Sequence, residues 1–467
     1  MSINSLSFLL FFIITLGAYY YPHINSKQQN IVLLIASLLF YGYTSYTMLL
    51  LLLISIYIFW VLGKFIAKLN FIYSNILTGL GIILGCGLLL YFKYFNFFIL
   101  SFSSLLNSLG LQTNWSTFKI IMPLGISFFT FRLISYIIDI KRKDILPCEN
   151  FINFANYISF FPCILSGPID RAIDFLPQLT KKREFNQSLI VEGCRQILWG
   201  IFKKMVIADS LATFLSLDVN HVTGSTLLFM AILYSVQIYT DFSGYSDMAI
   251  GVAKILGIKT TINFQYPYFS RSISEFWKRW HISLLSWFRY YLYFPLGGSY
   301  CSKLKTIRNT LIIFLVSGLW HGANWTFLIW GLFHAILFLP IIIRSKKRIK
   351  PSCNYNFIDS LKMLGVFILV TIGWIIFQSE NLSEVQTYIT KICSVEVFYR
   401  PSGLALAYTP MFFAAIMFII EWFKKEDEFP LQKLYMKKSL RWTIYILLIL
   451  VIVFYQGKPT DFIYFKF

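Results

Sequence analysis

The sequence predicts an all-α polytopic membrane protein, and its composition carries this prediction. Of the 467 residues, 57% are hydrophobic and only 13% are charged, whereas charged residues make up about 25% of an average soluble protein. The mean hydropathy is +0.66. A soluble protein of this length needs far more polar surface to cover its core. The composition therefore excludes a soluble enzyme, a fibrous protein and a disordered chain.

The first apolar run begins at Leu6 and is predicted to be a membrane helix. A removable signal peptide needs a basic start and a small-residue cleavage site. Here the first lysine is Lys27, and no such cleavage site follows the run. We therefore expect this segment to be retained.

Further apolar runs follow along the chain, and several approach the 20 residues that cross a hydrocarbon core of about 30 Å. They lie at about residues 31–43, 46–66, 75–98, 120–138, 151–167, 189–215, 225–240, 310–340, 361–378, 404–423 and 441–456. Pro or Gly interrupts three of them, at 120–138, 151–167 and 310–340. Interrupted segments of this kind are typical of half-helices that line a polar cavity. We expect about ten to thirteen membrane-embedded segments, some of them re-entrant or broken. No repeat or polar linker divides the chain, so residues 1–467 are predicted to form one integral membrane domain.

The basic residues are distributed as in the cytoplasmic loops of a membrane protein. Lys and Arg number 41 against 21 Asp and Glu, which gives a net charge of +20. Many lie in short groups between apolar runs, where the positive-inside rule places cytoplasmic loops. These groups are Lys141–Lys143, Lys181–Arg183, Lys203–Lys204, and Arg344 with Lys346–Arg348. No soluble domain surrounds them, so nucleic acid is not expected as a partner.

Several kinds of site have no support in the sequence. The seven cysteines include no CxxC pair and are odd in number, which favours buried free thiols over a zinc site or a disulfide framework. Glycine patterns of hydrolase elbows, Walker A loops and Rossmann folds are also missing. We therefore expect no bound metal and no bound cofactor.

Residues 241–300 form an unusually polar, Trp- and Tyr-rich segment that holds the first candidate histidine. They are too polar to cross lipid as one helix, because each central charge costs about 2.5–3.5 kcal/mol on insertion scales. If Ser274–Phe288 is a helix, then Trp277, His281 and Leu285 share one face. Two interpretations stay open: an aqueous chamber with His281 as a functional group, or an interfacial belt in which His281 is a hydrated partner.

A second candidate lies in Ser317–Trp325, where His321 interrupts an apolar run. Such a histidine is a functional-site hypothesis by default, and the flanking Gly318 and Gly322 allow close approach of backbone or substrate. If the helix continues past His321, Trp325 shares its face. The alternative is a structural histidine bonded between helices. His334, 13 residues further on, is expected to be structural rather than catalytic.

Together these patches resemble the membrane-bound O-acyltransferase superfamily, and within it the bacterial alginate O-acetylase branch, which includes peptidoglycan O-acetyltransferases. The resemblance runs in order over most of the chain and is densest over 241–335, where Lys278 stands in place of the usual arginine. The matching strings are Pro123–Phe128, Phe161–Ile169, Asp241–Gly251, Asn263–Phe264, Pro267–Tyr268, Arg271–Leu284, Tyr291–Tyr293, Pro295–Gly298, Gly318–Trp325 and the ending Phe462–Phe467.

The resemblance implies a multi-helix fold around a central funnel or tunnel, in the bacterial inner membrane. It implies an O-acetyltransferase that takes acetyl from cytosolic acetyl-CoA across the lipid bilayer. The acceptor would be a polysaccharide, reached directly or through a periplasmic or extracellular acetyltransferase partner. The chain favours Ile, Asn, Lys, Phe and Tyr, as an AT-rich genome would. Such a composition is typical of a small-genome bacterium, for which we favour peptidoglycan over an alginate-like exopolysaccharide as the acceptor.

His321 corresponds to the family's characteristic histidine, and we assign it as general base because a neutral imidazole has a pKa near working pH. His281 corresponds to the second family histidine, reached from the cytosol, and would be a second acid/base or an orienting group. Binding or orienting roles are expected for Trp277, Trp280, Trp320, Asn324, Trp325, Asp247 and His334. The CoA phosphates, or equally lipid headgroups, would attract Arg271, Lys278 and Arg279.

Three alternatives remain open from the sequence. An acyl-enzyme on Ser317 or Ser283 competes with direct transfer. A transporter or flippase would use broken helices and histidines to line a pathway and relay protons, although no inverted repeat is found. A noncatalytic scaffold of a polysaccharide export machine is the third.

Overall fold

The structure, a computed structural model, describes residues 1–465 apart from 114, 116, 119 and 344–354. It is 72% helical and, over the described residues, contains no strand, which confirms the all-α prediction. The predicted basic group Arg344 with Lys346–Arg348, the cysteine at 353 and the last two residues of the chain lie outside the described part.

The chain divides into two compact units, and the single-domain prediction stays a prediction. The first unit comprises Met1–Val191 and Val252–Thr261. Its helices are α1 Leu6–Tyr19, α2 Ser26–Gly42, α3 Tyr46–Lys68, α4 Phe71–Leu89, α5 Phe95–Ser108, α6 Ile126–Arg142, α7 Phe151–Ser159 and α8 Ala172–Phe175.

A buried arginine stabilises the broken segments of the first unit. Helix α6 begins directly after Gly125, and α7 ends at Ser159, before an irregular stretch up to residue 171. Arg132, 1% exposed, donates to the carbonyl oxygens of Tyr157 and Pro168 at 3.0 and 2.7 Å. A guanidinium has five donors and thus satisfies carbonyls that an ended helix leaves without partners. The predicted interruptions of 120–138 and 151–167 are confirmed.

The second unit comprises Glu192–Gly251 and Ile262–Phe467, and it contains every predicted site residue. Helix α9 spans Gln187–Ile201. The remaining α-helices are α10 Asp209–Leu215, α11 Gly224–Ile255, α12 Ile273–Arg279, α13 Ile282–Phe288, α14 Lys303–His321, α15 Trp325–Ile343, α16 Phe357–Gln378, α17 Leu382–Ile392, α18 Tyr408–Phe423 and α19 Lys438–Tyr455.

Among the described residues, seven helical stretches are long and apolar enough to cross a membrane. They are Tyr46–Lys68, Phe71–Ser108, Gly224–Ile255, Trp325–Ile343, Phe357–Gln378, Leu404–Phe423 and Lys438–Tyr455. The chain is thus a multi-pass membrane protein. Our estimate of ten to thirteen membrane-embedded segments is higher than seven because it includes short and broken pieces, such as the 14-residue α1. That estimate stays a prediction.

Helix α11 carries the first part of the polar segment 241–300. The rest of that segment is divided among short helices, so it does not cross as one helix, as predicted. However, Asp241 and Asp247 lie inside α11, and 78% of the most apolar 18-residue stretch of this helix is buried within the protein. Protein rather than lipid surrounds these carboxylates, so the penalty for a charge in lipid does not apply to them.

Candidate functional site

Two close-packed helices of the second unit, α14 and α15, position His321. The predicted break in the 310–340 run is confirmed: α14 ends at His321, and α15 begins at Trp325. An added Cβ on Gly318 would lie 2.2 Å from the Phe327 carbonyl oxygen, and one on Gly331 would lie 2.3 Å from that of Phe314. Only glycine permits this approach. The helix does not continue past His321, so the condition under which Trp325 would stack on the same helical face is not met.

His321 lies in an aromatic cluster at the end of α14. Its side chain is buried, and its ring centroid lies 5.0 Å from those of Trp320 and Trp330. Phe377 and Tyr464 complete the enclosure at 5.3 and 5.4 Å. A general base needs an imidazole in its neutral form, and aromatic rings surround that of His321.

His281 lies at a break between two helices, so the prediction of one helix over Ser274–Phe288 is wrong. Helix α12 ends at Arg279, and His281 adopts a left-handed backbone conformation with φ 45° before α13 begins. Backbone bonds to an upstream loop replace helical ones: Gln265 N–H donates to the Arg279 carbonyl, and Ile282 N–H donates to the Asn263 carbonyl. The face shared by Trp277, His281 and Leu285 therefore does not exist.

The break directs His281 into the same aromatic cluster. Its ring is 2% exposed and lies 4.7 Å from Phe242, edge to face. Neither ring nitrogen has a hydrogen-bond partner among the described residues. Burial lowers the pKa of His281 to about 3, so the imidazole is neutral at physiological pH. The interpretation of His281 as a hydrated interfacial group is wrong.

The structure brings the three predicted histidines of this region into one chain of ring contacts. Trp320 lies between His281 and His321, at 5.7 and 5.0 Å. Trp330 lies between His321 and His334, at 5.0 Å from each. One tryptophan ring thus contacts both members of each pair of neighbouring histidines.

The other predicted site residues divide into a buried group and an exposed one. Trp277 is buried and packs edge to face on His334 at 5.0 Å, and the buried Trp280 lies 4.9 Å from Trp374. Asn324 donates to the Glu380 carbonyl at 2.7 Å. Trp325 is 53% exposed and does not belong to the buried cluster.

Lys203 and Lys204 are buried inside a π-helical stretch, Phe202–Ala208, so their assignment to a cytoplasmic loop is wrong. Lys203 Nζ pairs with Asp247 at 2.5 Å, which makes Asp247 an ion-pair partner. Lys204 Nζ lies 2.7 Å from Asp241 and 2.8 Å from Asp209. Buried ammonium groups require such partners. Asp241 and Asp247 come from α11, distant in the sequence, whereas Asp209 lies five residues after Lys204.

The Lys204 cluster also holds the last described residues of the chain. Lys204 Nζ donates to the Thr460 carbonyl at 3.1 Å, and Asp241 Oδ2 accepts from the Ile463 N–H at 2.8 Å. Tyr464 follows, and its ring lies 5.4 Å from His321 and 6.3 Å from His281. No physical signal in the sequence indicated Tyr464; only the resemblance of the chain's ending included it.

The predicted CoA-phosphate residues form a positive patch with one residue that the sequence did not indicate. Arg279 pairs with Glu275 at 2.7 Å, and Arg271 lies 3.5 Å from Glu275 and 3.7 Å from Asp359. Lys278 is exposed. Lys425 joins them: burial and the nearby positive charges of Arg279 and Arg271 lower its pKa, against the effect of a neighbouring glutamate. No group of His, Cys, Asp and Glu among the described residues is arranged to hold a metal ion.

Comparison with known proteins identifies the family. The profile of the membrane-bound O-acyltransferase family matches residues 148–375, a range that includes His281, His321 and His334. The chain is 40% identical over 379 residues to the probable alginate O-acetylase AlgI of Pseudomonas aeruginosa, covering 80% of this chain and 71% of that protein.

Two other relatives carry different names. The peptidoglycan O-acetyltransferase of Helicobacter pylori is 33% identical over 390 residues, covering 77% of this chain and 73% of that protein. The teichoic acid D-alanyltransferase of Bacillus subtilis is 31% identical over 280 residues, covering 56% and 70%. The chain that builds this histidine cluster belongs to the membrane-bound O-acyltransferase family and is an acyltransferase.

Proposed function

We propose that the protein transfers acetyl from cytosolic acetyl-CoA to a hydroxyl group of a cell-envelope or extracellular polysaccharide. The observation that carries the proposal is the position of His321, a buried imidazole at the end of α14 within the region that matches the family. The names of the relatives support acetyl as the group and a polysaccharide as the acceptor. Peptidoglycan is our first candidate, and an alginate-like polymer is the second.

In the proposed reaction His321 is the general base. The acceptor oxygen attacks the thioester carbonyl carbon while its proton passes to the His321 ring, and a C–O bond forms. The tetrahedral oxyanion then collapses, the C–S bond breaks, and His321 returns the proton to the departing thiolate. A base of this kind contributes about 10²–10⁴-fold to the rate. His281, neutral because of its burial, orients the thioester.

We place the donor side of the reaction at the ends of the helices where basic residues concentrate. Helix α14 begins at Lys303 near Lys305 and Arg308, and α18 ends just before Lys424 and Lys425. The Lys303 ammonium bonds the carbonyl of Ile343, the last residue of α15, at 3.3 Å. The positive-inside rule assigns such ends to the cytosol of the bacterial inner membrane. The patch of Lys278, Arg279, Arg271 and Lys425 would then meet the CoA phosphates.

His321 is the last of the 19 residues of α14, and thus lies about 27 Å from the start of the helix along its axis at 1.5 Å per residue. It is therefore near the opposite, noncytosolic ends of these helices. This separation supports transfer of the acetyl group across the bilayer, to the acceptor itself or to a partner acetyltransferase outside.

The experiment that tests the function compares wild type with His321→Ala in membranes supplied with labelled acetyl-CoA. We expect acetylated glycan with the wild type and none with the variant, while both insert equally. Glycan movement without acetylation would contradict the proposal in favour of a transporter. Loss of a partner complex with neither activity would contradict it in favour of a scaffold.

A separate measurement distinguishes direct transfer from an acyl-enzyme on serine. Ser317 is buried one turn before His321, and Ser283 Oγ donates to Asn263 Oδ1 at 2.6 Å. Direct transfer predicts no acetyl label on either serine after dialysis of the purified protein. A stable label that disappears in Ser317→Ala or Ser283→Ala would overturn it.

A further inference from the structure

A large cavity lies beside the histidine cluster in the second unit. Its volume is about 960 Å³, near the upper end of the range for ligand sites. Asn324, Phe327 and Ile463 line it close to His321. The Phe327 ring packs on Phe377 at 4.9 Å, and Phe377 packs on His321 at 5.3 Å. The cavity lining is thus connected to the proposed base through the contacts of Phe327 and Phe377.

The cavity lies at the end of the helices that is opposite to the basic residues. Its lining includes Gln378, the last residue of α16, and Ser383 and Thr387 on α17. Helix α16 begins at the other end, where the Tyr355 ring packs on that of Trp422 at 5.0 Å and the Lys425 ammonium lies 3.8 Å from the Tyr355 ring. The cavity therefore faces the side from which an extracytosolic acceptor would come.

The charge of the lining is negative. Five of the lining residues are acidic, and none of those described is Lys, Arg or His: Asp218, Asp241, Glu380, Glu384 and Asp461. Lys204 compensates Asp241, and His221 lies 2.7 Å from Asp218. The ammonium of Lys391 is bound to backbone carbonyls of the 219–222 loop. Among the described residues, no ion pair involves Glu380, Glu384 or Asp461.

A second observation points to a hydroxyl-rich ligand. Tyr234 lines the cavity and is 6% exposed, and its hydroxyl has no hydrogen-bond partner among the described residues. A buried hydroxyl without a partner costs free energy unless a ligand satisfies it. Amides and hydroxyls of the lining, such as Asn220, Gln237 and Ser379, add donors and acceptors. These groups match the hydroxyls of a sugar.

We infer that this cavity is the acceptor site and that it takes an uncharged, hydroxyl-rich glycan while it repels a polyuronate. The inference rests on the proposed function in one respect, that the acceptor meets His321. Negative charge that no cation compensates raises the local concentration of cations and neutral ligands relative to anions. A chain of sugars with a carboxylate on every ring would bring like charges next to Glu380 and Glu384.

The test uses full-length protein with Ser383→Cys, a nearly isosteric change in the lining. Modification of this introduced thiol is followed by peptide mass spectrometry with a cationic and an anionic methanethiosulfonate of equal size. Native Cys393, exposed and outside the cavity lining, is the internal control. We expect the cationic reagent to react about threefold faster or more at the introduced thiol at low salt, as a negative local potential requires. Glu380→Gln with Glu384→Gln should bring the ratio close to that at Cys393, and an unchanged ratio would overturn the inference.

Protection of the same introduced thiol identifies the occupant. An N-acetylglucosamine oligomer should slow its modification, and an oligouronate of equal length should not, whether His321 is present or replaced in His321→Gln. Equal protection by the oligouronate, or protection by a basic peptide alone, would overturn the inference. Because protection needs no acetyl-CoA, absent acetyl transfer with intact protection would contradict only the proposed function.

Discussion

At the scale of single residues, the burial of His281 makes the free energy of unfolding depend on pH. Its pKa falls to about 3 in the folded protein, against about 6.5 in an unfolded chain. The unfolded state therefore binds more protons between these values, so His281 makes the folded state less stable as the pH falls from 6.5 to 3. At pH 5 this effect amounts to about 2 kcal/mol.

We therefore expect His281→Gln to weaken the loss of thermal stability between pH 7 and pH 5. The measurement is the midpoint of thermal unfolding in detergent at several pH values, for wild type and variant. His221→Gln is the control, since the side chain of His221 is exposed. Parallel pH profiles for His281→Gln and wild type would contradict the buried, neutral state of His281.

Lys204 gives a second prediction at this scale. Lys204→Met leaves Asp241 and Asp209 buried without their shared cation, and breaking a buried ion pair costs about 3–5 kcal/mol. Lys305→Met, on an exposed side chain, should change stability by no more than about 0.5 kcal/mol. Thermal unfolding of the two variants should show a large decrease for Lys204→Met only. Similar small changes in both would contradict the buried cluster.

Residue chemistry predicted part of this site and missed another part. His321 was recognisable because an imidazole is rare in an apolar run, and His281 because it lies in an unusually polar, Trp-rich segment; both lie in the cluster. Lys203 and Lys204 were misread because their partners Asp247 and Asp241 are contributed by α11, and a charge pattern along the sequence does not show pairing across a fold. Tyr464 was missed for the same reason, since the Lys204 cluster that holds its segment forms only in the folded chain.

At the scale of elements, the close approach of α14 and α15 predicts opposite results for glycine substitutions. Gly318→Ala and Gly331→Ala would place a methyl group within 2.2 and 2.3 Å of a carbonyl oxygen, and overpacking of this kind costs about 1–3 kcal/mol. Because the helices must separate, His321 should shift and acetyl transfer should fall.

Gly365→Ala in α16 is the matched control, because its added Cβ meets no atom within 4 Å. Alanine has the higher helix propensity, by about 1 kcal/mol, so this variant should be as stable as wild type or more stable. Unfolding midpoints and acetyl-transfer rates of the three variants test the comparison. Equal tolerance of alanine at Gly318 and Gly365 would contradict the helix contact.

The elements also show where sequence patterns fail. The break after His321 was predictable, because glycine on both sides of a histidine interrupts an apolar run. The break at His281 was not, because Ser274–Phe288 has helical spacing throughout. There the backbone bonds to Asn263 and Gln265 override local propensity, and only tertiary structure supplies them.

At the scale of the whole molecule, composition alone predicted the class of fold and the multi-pass arrangement. Acceptor choice was not predictable in this way, since by our inference it depends on the charge of a cavity that separate segments of the second unit line. In that unit the positive patch with Lys425 and the acidic cavity lie at opposite ends of the helices, which is the arrangement that our proposed transfer from a cytosolic donor to an external acceptor requires.

The most direct test of this account uses sealed proteoliposomes with labelled acetyl-CoA on one side and an N-acetylglucosamine oligomer on the other. The orientation of the protein is scored by proteolysis of the Lys424–Lys438 loop. We predict labelled oligosaccharide only when acetyl-CoA is on the side of that loop, and none with His321→Gln in either orientation. Label that requires donor and acceptor on the same side, or that persists undiminished in His321→Gln, would contradict transfer across the bilayer at His321.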